Sequence, residues 1–483
     1  MKHSGKSDGR RLVVNNYLVH TGKRMTFKRT ASFALIASML ISTSASARPL
    51  ADELQLLMVE HPLLKSLRKS VSASDKGRDV AMASYFPKLT ISGDTGPEEI
   101  STPGYDTDLT RRRFTTTIEQ NLYAGGRDAA AIDIAEIDYS AQDNNLRMTT
   151  QDLLLEGITA YVQAARYQTL IAIARRNEET TLRQSALENE RVERGGGIAV
   201  DVMQARARLQ LVRERRVFYE QGLRDAAANY HQVFGHDPQL SGMQDLGIFT
   251  DRMPASLDAA LELTRGQNPR LKEAVLQSKR AQKQIGTERS GMHPRIDLVG
   301  TNINDSNVNA ISQRDEQSLV VRFSWNLFSG METSNRIAAA EIQHEAMLDR
   351  EVAVINKVEE NVRIAWNQLI NGREREELLD SAAAISYDVM QNRKRLRDAG
   401  KETAINVLDA EVEYYAVLSN RLNAMYDTRI GSYRLLAAIG VLTPETLGLG
   451  NGEFALPVKP LSLEVSALDL DVFGLSRNGA AKE

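Results

Sequence analysis

Two groups of carboxylates are the residues of this sequence with the most potential for chemistry. Glu359 and Glu360 form the first group, and the second consists of Glu374, Glu376 and Glu377. Closely placed carboxylates can act as a general acid and a general base. Here they lie in a helical pattern with arginines four residues away, as Glu359 and Arg363 show, and such spacing is typical of ion pairs on a solvated helix face. We therefore interpret both groups as surface charge.

Other chemical signatures are missing from the sequence. The seven histidines have no ligand spacing, and there is no phosphate-binding loop, glycine-rich dinucleotide turn or nucleophile elbow. The lack of cysteine excludes disulfides, thiolate metal sites and a lipid-modified amino-terminal cysteine. The sequence gives no basis for an enzyme, and we expect no catalytic, cofactor or metal site.

The amino terminus is predicted to be a secretory signal peptide over residues 1–47. Basic residues precede a short apolar run at 33–41, and Ala45-Ser46-Ala47 fits a cleavage site. Met25 is as plausible a start as Met1, because residues 1–24 add nothing that a signal needs. Removing residues 1–47 takes away eight of the 60 basic residues and one of the 63 acidic residues, so the mature formal charge is −10. This acidity and the dispersed arginines argue against a nucleic-acid partner.

The stretch at 319–330 is the clearest strand signal. Leu319, Val321, Phe323, Trp325 and Leu327 alternate with mostly polar residues, so one face is apolar and the other is mainly polar. About 9–11 tilted residues of this kind span a bilayer in a barrel, whereas one isolated strand also fits the edge of a soluble sandwich. No apolar run is long enough for a membrane helix, so a membrane location would require strands.

The mature sequence contains the same unit twice. His61-Pro62 recurs as Asn268-Pro269, and Phe86-Pro87 recurs as His293-Pro294, each after 207 residues. Asn121-Leu122 recurs as Asn326-Leu327, and Gly195 recurs as Gly400, each after 205 residues. The change in offset is expected in or beside the loop that joins two strands, where insertions are tolerated. A period of this length indicates duplication of a whole structural unit.

Each unit has the same predicted order of elements. Helical segments at 51–83 and 255–290 end before a proline that starts a strand. Strands are predicted at 88–95, 112–123, 295–303 and 317–328, with polar loops at 96–111 and 304–316. Proline-free helices are predicted at 126–192 and 331–397, each about 100 Å long. A glycine-containing turn follows each of them and leads into a return helix, at 199–235 or 404–439. The last residues, 442–483, are predicted to form an extended tail.

One copy of the chain cannot form a stable structure from these predicted elements. Four strands cannot close a barrel, and an open sheet edge cannot face lipid. The long helices are polar and alanine-rich, with a coiled-coil seam at Leu154, Ile158, Tyr161 and Ala165, and such helices need neighbours along their whole length. We therefore expect several chains to build the structure together.

Several motifs together resemble the TolC family of trimeric outer-membrane channel-tunnels. They are Phe86-Pro87-Lys88-Leu89, the Asn-Leu-x-x-Gly ends of both return strands, Asp201-Val202-Met203-Gln204-Ala205 and Val407-Leu408-Asp409-Ala410-Glu411. The resemblance covers residues 50–441 and implies an α+β membrane protein. Three copies would each contribute four β-strands to a twelve-stranded β-barrel, which a long α-helical coiled-coil barrel continues into the periplasm.

The resemblance also implies a division into domains. The signal peptide, 1–47, is followed by a first repeat at 48–240, a second repeat at 255–441 and the tail at 442–483. Each repeat holds a helix, a strand pair (88–123 or 295–328) and a long helical hairpin (126–235 or 331–439).

In the TolC family the turns between paired helices form the periplasmic aperture, which would lie at 195–202 and 400–409 here. The resemblance implies a ring of acidic residues. Asp409 matches one of them, but the second falls at the uncharged Asn406, and a basic link of the closed aperture falls at the acidic Glu402. We therefore expect a different salt-bridge scheme. The candidates for contact with an adaptor are Gly195, Gly196, Gly197, Asp201 and Gly400.

The function that the resemblance implies is export through a homotrimeric channel in the Gram-negative outer membrane, in contact with its lipid. The partners would be an inner-membrane transporter, of ABC type or proton-driven, and a periplasmic membrane-fusion adaptor. The run at 407–413, Trp325-Asn326-Leu327-Phe328 and the missing lipid-anchored cysteine favour a type I protein secretion system over the alternative, multidrug efflux. Alternatives from other classes are a soluble periplasmic coiled-coil adaptor and a structural coiled-coil envelope protein.

Overall fold

The computed structural model describes residues 49–248, 253–309, 311–449 and 458–460. The predicted signal peptide and most of the predicted tail lie outside these residues. The first repeat comprises α1 (Leu50–Glu60), α2 (Pro62–Met82), β1 (Lys88–Thr102), β2 (Tyr105–Tyr123), α3 (Arg127–Glu193) and α4 (Ala199–Phe234). The second comprises α5 (Leu257–Gln267), α6 (Pro269–Arg289), β4 (Arg295–Val308), β5 (Ile311–Ser324), α7 (Glu332–Asp398) and α8 (Ala404–Ile439). Two short strands, β3 (Gln244–Leu246) and β6 (Val458–Pro460), pair with each other.

The helices repeat with the offsets that the sequence motifs show. α1 and α2 precede α5 and α6 by 207 residues, whereas α3 and α4 precede α7 and α8 by 205. Corresponding helices have equal lengths: 11, 21, 67 and 36 residues. Pro62 and Pro269 occupy the first turns of α2 and α6, where a missing N–H costs nothing. Every long helix begins and ends within one residue of its predicted bounds.

The four long strands form one antiparallel sheet in the order β1-β2-β4-β5. The predicted loops at 96–111 and 304–316 are wrong, because β1 and β2 stay paired up to Thr102 and Tyr105, and β4 and β5 up to Val308 and Ile311. Polar residues in this region have the composition of a loop. Several pair across strands instead: Arg111 contacts Asp94 at 3.0 Å, and Arg113 makes two bonds to Asp305, of 2.8 and 2.9 Å. The predicted last strand also ends early, at Ser324 rather than at residue 328.

The two faces of the sheet differ as the alternation predicts. Leu319, Val321 and Phe323 are 71, 65 and 61% exposed and lie on the same face as Leu89, Ile91, Phe114 and Ile118. The opposite face carries the ion pairs, including Arg295 with Glu119 at 2.8 Å and with Asp297 at 2.7 Å. One face is therefore apolar and open, and the other is charged.

The core lies where α8 meets α3, α7 and the segment that follows α4. The predicted seam is buried, since Leu154, Ile158, Tyr161 and Ala165 are at most 2% exposed. The buried hydroxyl of Tyr433 donates to the Gly247 carbonyl at 3.1 Å, and burial raises the pKa of this tyrosine. Among the described residues no helix has both the length and the apolar character needed to cross a bilayer.

Not all of the five glutamates in the two carboxylate clusters are solvated surface charge. Glu359 pairs with Arg265 of α5 at 2.7 Å rather than with Arg363, because α5 packs against α7 at this level. Glu376 is half-buried, and this burial raises its pKa although Arg429 and a bond from Thr428 oppose the shift. Within the described residues no three acidic or histidine side chains are arranged to hold a metal ion.

Candidate functional site: the hairpin tips and the apolar sheet face

Both helical hairpins turn through the same backbone motif. At the first tip the Gly196 and Gly195 N–H groups donate to the Arg191 and Val192 carbonyls, both at 3.0 Å. At the second tip Lys401 and Gly400 donate to Leu396 and Arg397 in the same way. Gly195 and Gly400 have φ of +78° and +71°, which glycine adopts without strain. These predicted tip glycines therefore end α3 and α7.

Local packing and charge further constrain the residues of the first tip. A Cβ on Gly197 would lie 2.8 Å from the Val192 side chain, whereas Gly196 has room for one. Asp201 lies in the first turn of α4, where a carboxylate is favoured by the helix dipole. The apolar residues Ile198, Val200 and Met203 are 63, 55 and 69% exposed around it.

Glu402 and Asn406 are bound to each other at the second tip. The Glu402 carboxylate accepts from the Asn406 side chain at 2.6 Å and from the Thr403 N–H at 3.0 Å. These two bonds, with the Arg393 charge 4.0 Å away, hold the pKa of Glu402 below its usual range. Thr403 caps α8 by accepting from the Asn406 N–H. In this state both candidates therefore stabilise the start of α8.

Asp409 lies one turn further along α8 and reaches the other hairpin. Its carboxylate is 2.8 Å from the Arg208 guanidinium of α4, and both side chains are close to half exposed. A second link joins the hairpins nearby, because Arg397 of α7 donates to the Gln184 side chain of α3 at 3.1 Å. Within the described part of the chain, Asp409 is the one candidate whose side chain contacts the other repeat.

A buried charge near the tips was not anticipated from the sequence. Glu411 of α8 is fully buried, and Lys394 of α7 lies 2.7 Å from its carboxylate. Neither Glu411 oxygen has a well-directed hydrogen bond within the described part of the chain. The only sequence signal was the position of Glu411 on the apolar face of α8, two residues from Asp409.

Aromatic residues collect where the apolar sheet face meets the helices. Phe86, Tyr123, Trp325 and Phe328 are each at least 43% exposed, and the Trp325 ring N–H donates to the Met292 carbonyl at 3.0 Å. Tyrosine and tryptophan, here Tyr123 and Trp325, have rings with one polar end and are typical of the boundary between lipid and water. The open apolar face is therefore bounded as a membrane-facing surface would be.

The duplicated unit, in which a one-sided apolar strand pair leads into a very long helical hairpin, defines a class of membrane-associated channel proteins. The model of the outer membrane efflux protein family matches residues 54–236 and 260–441, and the chain belongs to this family. The resemblance to TolC-like channels is thereby confirmed.

Individual relatives match over most of their length. The chain is 24% identical to the outer membrane efflux protein BepC of Brucella suis, over 87% of this chain and 91% of the relative. It is 25% identical to the alkaline protease secretion protein AprF of Pseudomonas aeruginosa, over 89% and 92%. The crystal structure of the CmeC outer membrane channel of Campylobacter jejuni superposes with a TM-score of 0.74 at 12% identity, over 82% of this chain and 86% of that one.

Family membership gives the coarse function and location. The protein is an outer-membrane channel of a Gram-negative cell with a periplasmic extension, and its family consists of channels rather than known enzymes.

Proposed function

We propose that three copies of the chain form a channel-tunnel that exports protein as the outer-membrane component of a type I secretion system. The four-stranded sheet is the observation that supports the assembly. Among the described residues nothing covers its apolar face, and no further strand pairs with the outer edges of β1 and β5. A free strand edge is not stable in lipid because its backbone groups lack hydrogen-bond partners, and an open apolar face is unfavourable in water. Three copies supply twelve strands, so each edge meets a partner and the apolar face contacts lipid.

The secretion assignment rests on the relatives. AprF is named for secretion of alkaline protease and matches along nearly the whole chain. BepC, which matches equally well, is named an efflux protein and supports multidrug efflux as the second candidate. In either system an inner-membrane transporter, of ABC type or proton-driven, would act through a periplasmic adaptor at the hairpin tips. The function then follows from the shape of a water-filled duct, and no catalytic step is required.

The tips are proposed to form the periplasmic aperture. Asp409 is the residue that would place charge there, and Arg208 compensates this charge in the present state. Glu402 and Asn406 would support the aperture by holding the turn before α8. Opening would move α7 and α8 against α3 and α4, and this motion must break the contacts Arg208–Asp409 and Arg397–Gln184. Gly195, Gly196, Gly197, Asp201 and Gly400 are proposed as the surface that meets the adaptor.

A deletion strain separates the two systems. Loss of one abundant protein from the culture medium, with unchanged drug resistance, is expected for secretion. Increased drug sensitivity with an unchanged medium would instead assign the channel to efflux.

Pinning the tips tests the aperture. A reducible thiol-reactive crosslinker that joins Gln184→Cys to Arg397→Cys should abolish export, because the two wild-type side chains meet at their far ends, and a reductant should restore it. Each single variant treated with the reagent should export normally. Unchanged export by the crosslinked double variant would contradict the proposed movement.

A further inference from the structure

A groove of about 280 Å³ lies between the two helical hairpins of one chain. Residues of α4 and α8 form its two walls, and Ile173, Ala174 and Asn177 of α3 form its floor, because α3 packs on both of the other helices. Ile173 and Ala174 are 1 and 5% exposed. The groove is therefore bounded by both repeats of the chain.

Arg215 and Asn177 line the groove at the same level. Their neighbours Arg213 and Arg216 on α4 bond to Glu178 on α3, at 3.0 and 2.6 Å. These two bonds fix the level at which α4 passes α3, and they bring the positions of Arg215 and Asn177 side by side. A guanidinium and a side-chain amide therefore face the same part of the groove.

The charge of Arg215 is not neutralised within the described part of the chain. No carboxylate there forms an ion pair with it, and its guanidinium carbon lies 5.9 Å from the centre of the Phe218 ring. The second arginine of the groove, Arg208, is compensated by Asp409 at 2.8 Å. Among the described residues no acidic side chain lines the groove. The groove therefore has a net positive charge that attracts an anion.

The apolar part of the groove is small. Leu211 and Val212 of α4 and Val412 of α8 line it, and Leu211 is 62% exposed. The volume of the groove is about twice that of a cavity of about 150 Å³ that binds benzene, and it is too small for a helix, which is about 10 Å across. Size and charge therefore fit a small molecule with an apolar body and one anionic group.

We propose that this groove binds a small aromatic carboxylate, whose anionic group pairs with Arg215 and Asn177, and that the bound anion holds the two hairpins together. The walls of the groove belong to α4 and α8, which the movement proposed above displaces against each other. A ligand that fits between these walls binds the present state more tightly than the open state and shifts the equilibrium toward the present state. The effect on opening rests on that proposed movement, whereas the binding itself does not.

Binding of 2-naphthoate to the full-length, detergent-purified protein tests the site. Titration calorimetry should find one site per chain, and Arg215→Gln should weaken binding by about tenfold or more, as expected when a charged hydrogen-bond donor is lost. 2-Naphthalenemethanol has the same apolar body without the charge and should bind as weakly to the wild type as 2-naphthoate binds to that variant. Arg206→Gln is the matched control, because Arg206 of α4 bonds to Asn189 at 3.0 Å and does not line the groove.

A second variant tests the space rather than the charge. Ala416 lines the groove from the α8 wall and is exposed, so Ala416→Leu should narrow the groove without disturbing the fold. This variant should bind 2-naphthoate more weakly and should unfold at the temperature of the ligand-free wild type. Equal affinities of the wild type and Arg215→Gln would overturn the anion site. Equal affinities for 2-naphthoate and the alcohol would overturn it as well, because the groove would then be an apolar site only.

Channel recordings test the effect on opening. Saturating 2-naphthoate on both sides of a planar bilayer should lower the open probability of wild-type and Arg206→Gln pores several-fold and should leave that of Arg215→Gln pores unchanged. Binding by calorimetry without a change in open probability would overturn the claim that the anion holds the hairpins together. A protein that binds 2-naphthoate through Arg215 but never forms pores would contradict the proposed export function and would still support the binding site.

Discussion

Asp409 of α8 and Arg208 of α4 form an ion pair of 2.8 Å that joins the two helical hairpins of one chain. Their side chains are 47 and 43% exposed, and pairs as open to solvent as this one contribute about 0.2–1 kcal/mol. A bond of this strength holds two helices in register but can be broken by modest binding energy. It is therefore compatible with the movement proposed for the hairpin tips.

Arg208→Ala should raise the open population of the purified channel by up to about fivefold, which corresponds to about 1 kcal/mol. Asp409→Ala should do the same, and the exchange Arg208→Asp with Asp409→Arg should restore wild-type gating. The measurement is open probability in planar bilayers at low and high salt. Arg194→Ala is the matched control, because Arg194 pairs with Glu190 at the end of its own helix. Equal effects of the Arg208 and Arg194 variants would contradict a link between hairpins.

The second tip should loosen in acid. The pKa of Glu402 is lowered by its bonds to Asn406 and Thr403, so its stabilising effect is complete above the ordinary value of 4.5 and is lost as pH falls through the lowered value. Hydrogen exchange of a peptide covering 401–407 should therefore accelerate, after correction for intrinsic rates, as pH falls below about 4.5. Glu402→Gln should remove this pH dependence. A wild-type tip whose protection is constant down to pH 3 would refute the role of the carboxylate.

The buried pair of Lys394 and Glu411 should respond unequally to substitution. Lys394→Met leaves the fully buried Glu411 without a compensating charge and should destabilise the protein by about 3–5 kcal/mol. Glu411→Gln should cost less, because the Lys394 side chain is 28% exposed and can reach water. Lys394→Met combined with Glu411→Leu should recover most of the loss. Thermal unfolding in detergent measures the relative stability of these variants. A Glu411→Gln variant less stable than Lys394→Met would contradict the prediction.

Two adjacent valines on β5 test the membrane-facing surface. Val321 lies on the apolar face, whereas its neighbour Val320 lies opposite Val299 on the other face. Val321→Arg should cost about 2–4 kcal/mol if the side chain lies near the bilayer midplane and should reduce the amount of folded protein in the outer membrane. Val320→Arg should be tolerated. Equal yields of the two variants would mean that this face does not contact lipid.

The helices could be predicted closely because their ends are determined locally. Proline at the first turn of α2 and glycine after α7 act through the backbone of a few residues, so composition is sufficient to locate them. The strand segments at 96–111 and 304–316 could not be predicted, because residues such as Arg111 and Asp305 look like loop residues until their oppositely charged cross-strand partners are known.

The candidate site was predicted as a region but not as a set of contacts. Asp409 was identified from a motif, yet its partner Arg208 comes from the other repeat and has no local signature. The motif indicates only whether Glu402 and Asn406 are charged, whereas the hydrogen bond between their side chains depends on the geometry of the turn. The division into signal peptide, two repeats and tail remains a prediction.

The most direct test of the channel is single-channel conductance of the detergent-purified wild-type protein in a planar bilayer, with Asp409→Ala alongside it. Stable pores, with cation selectivity that weakens in the variant, are the predicted result and would support a duct whose narrow end lies at Asp409. A folded, membrane-extracted protein that never forms pores would contradict the central claim.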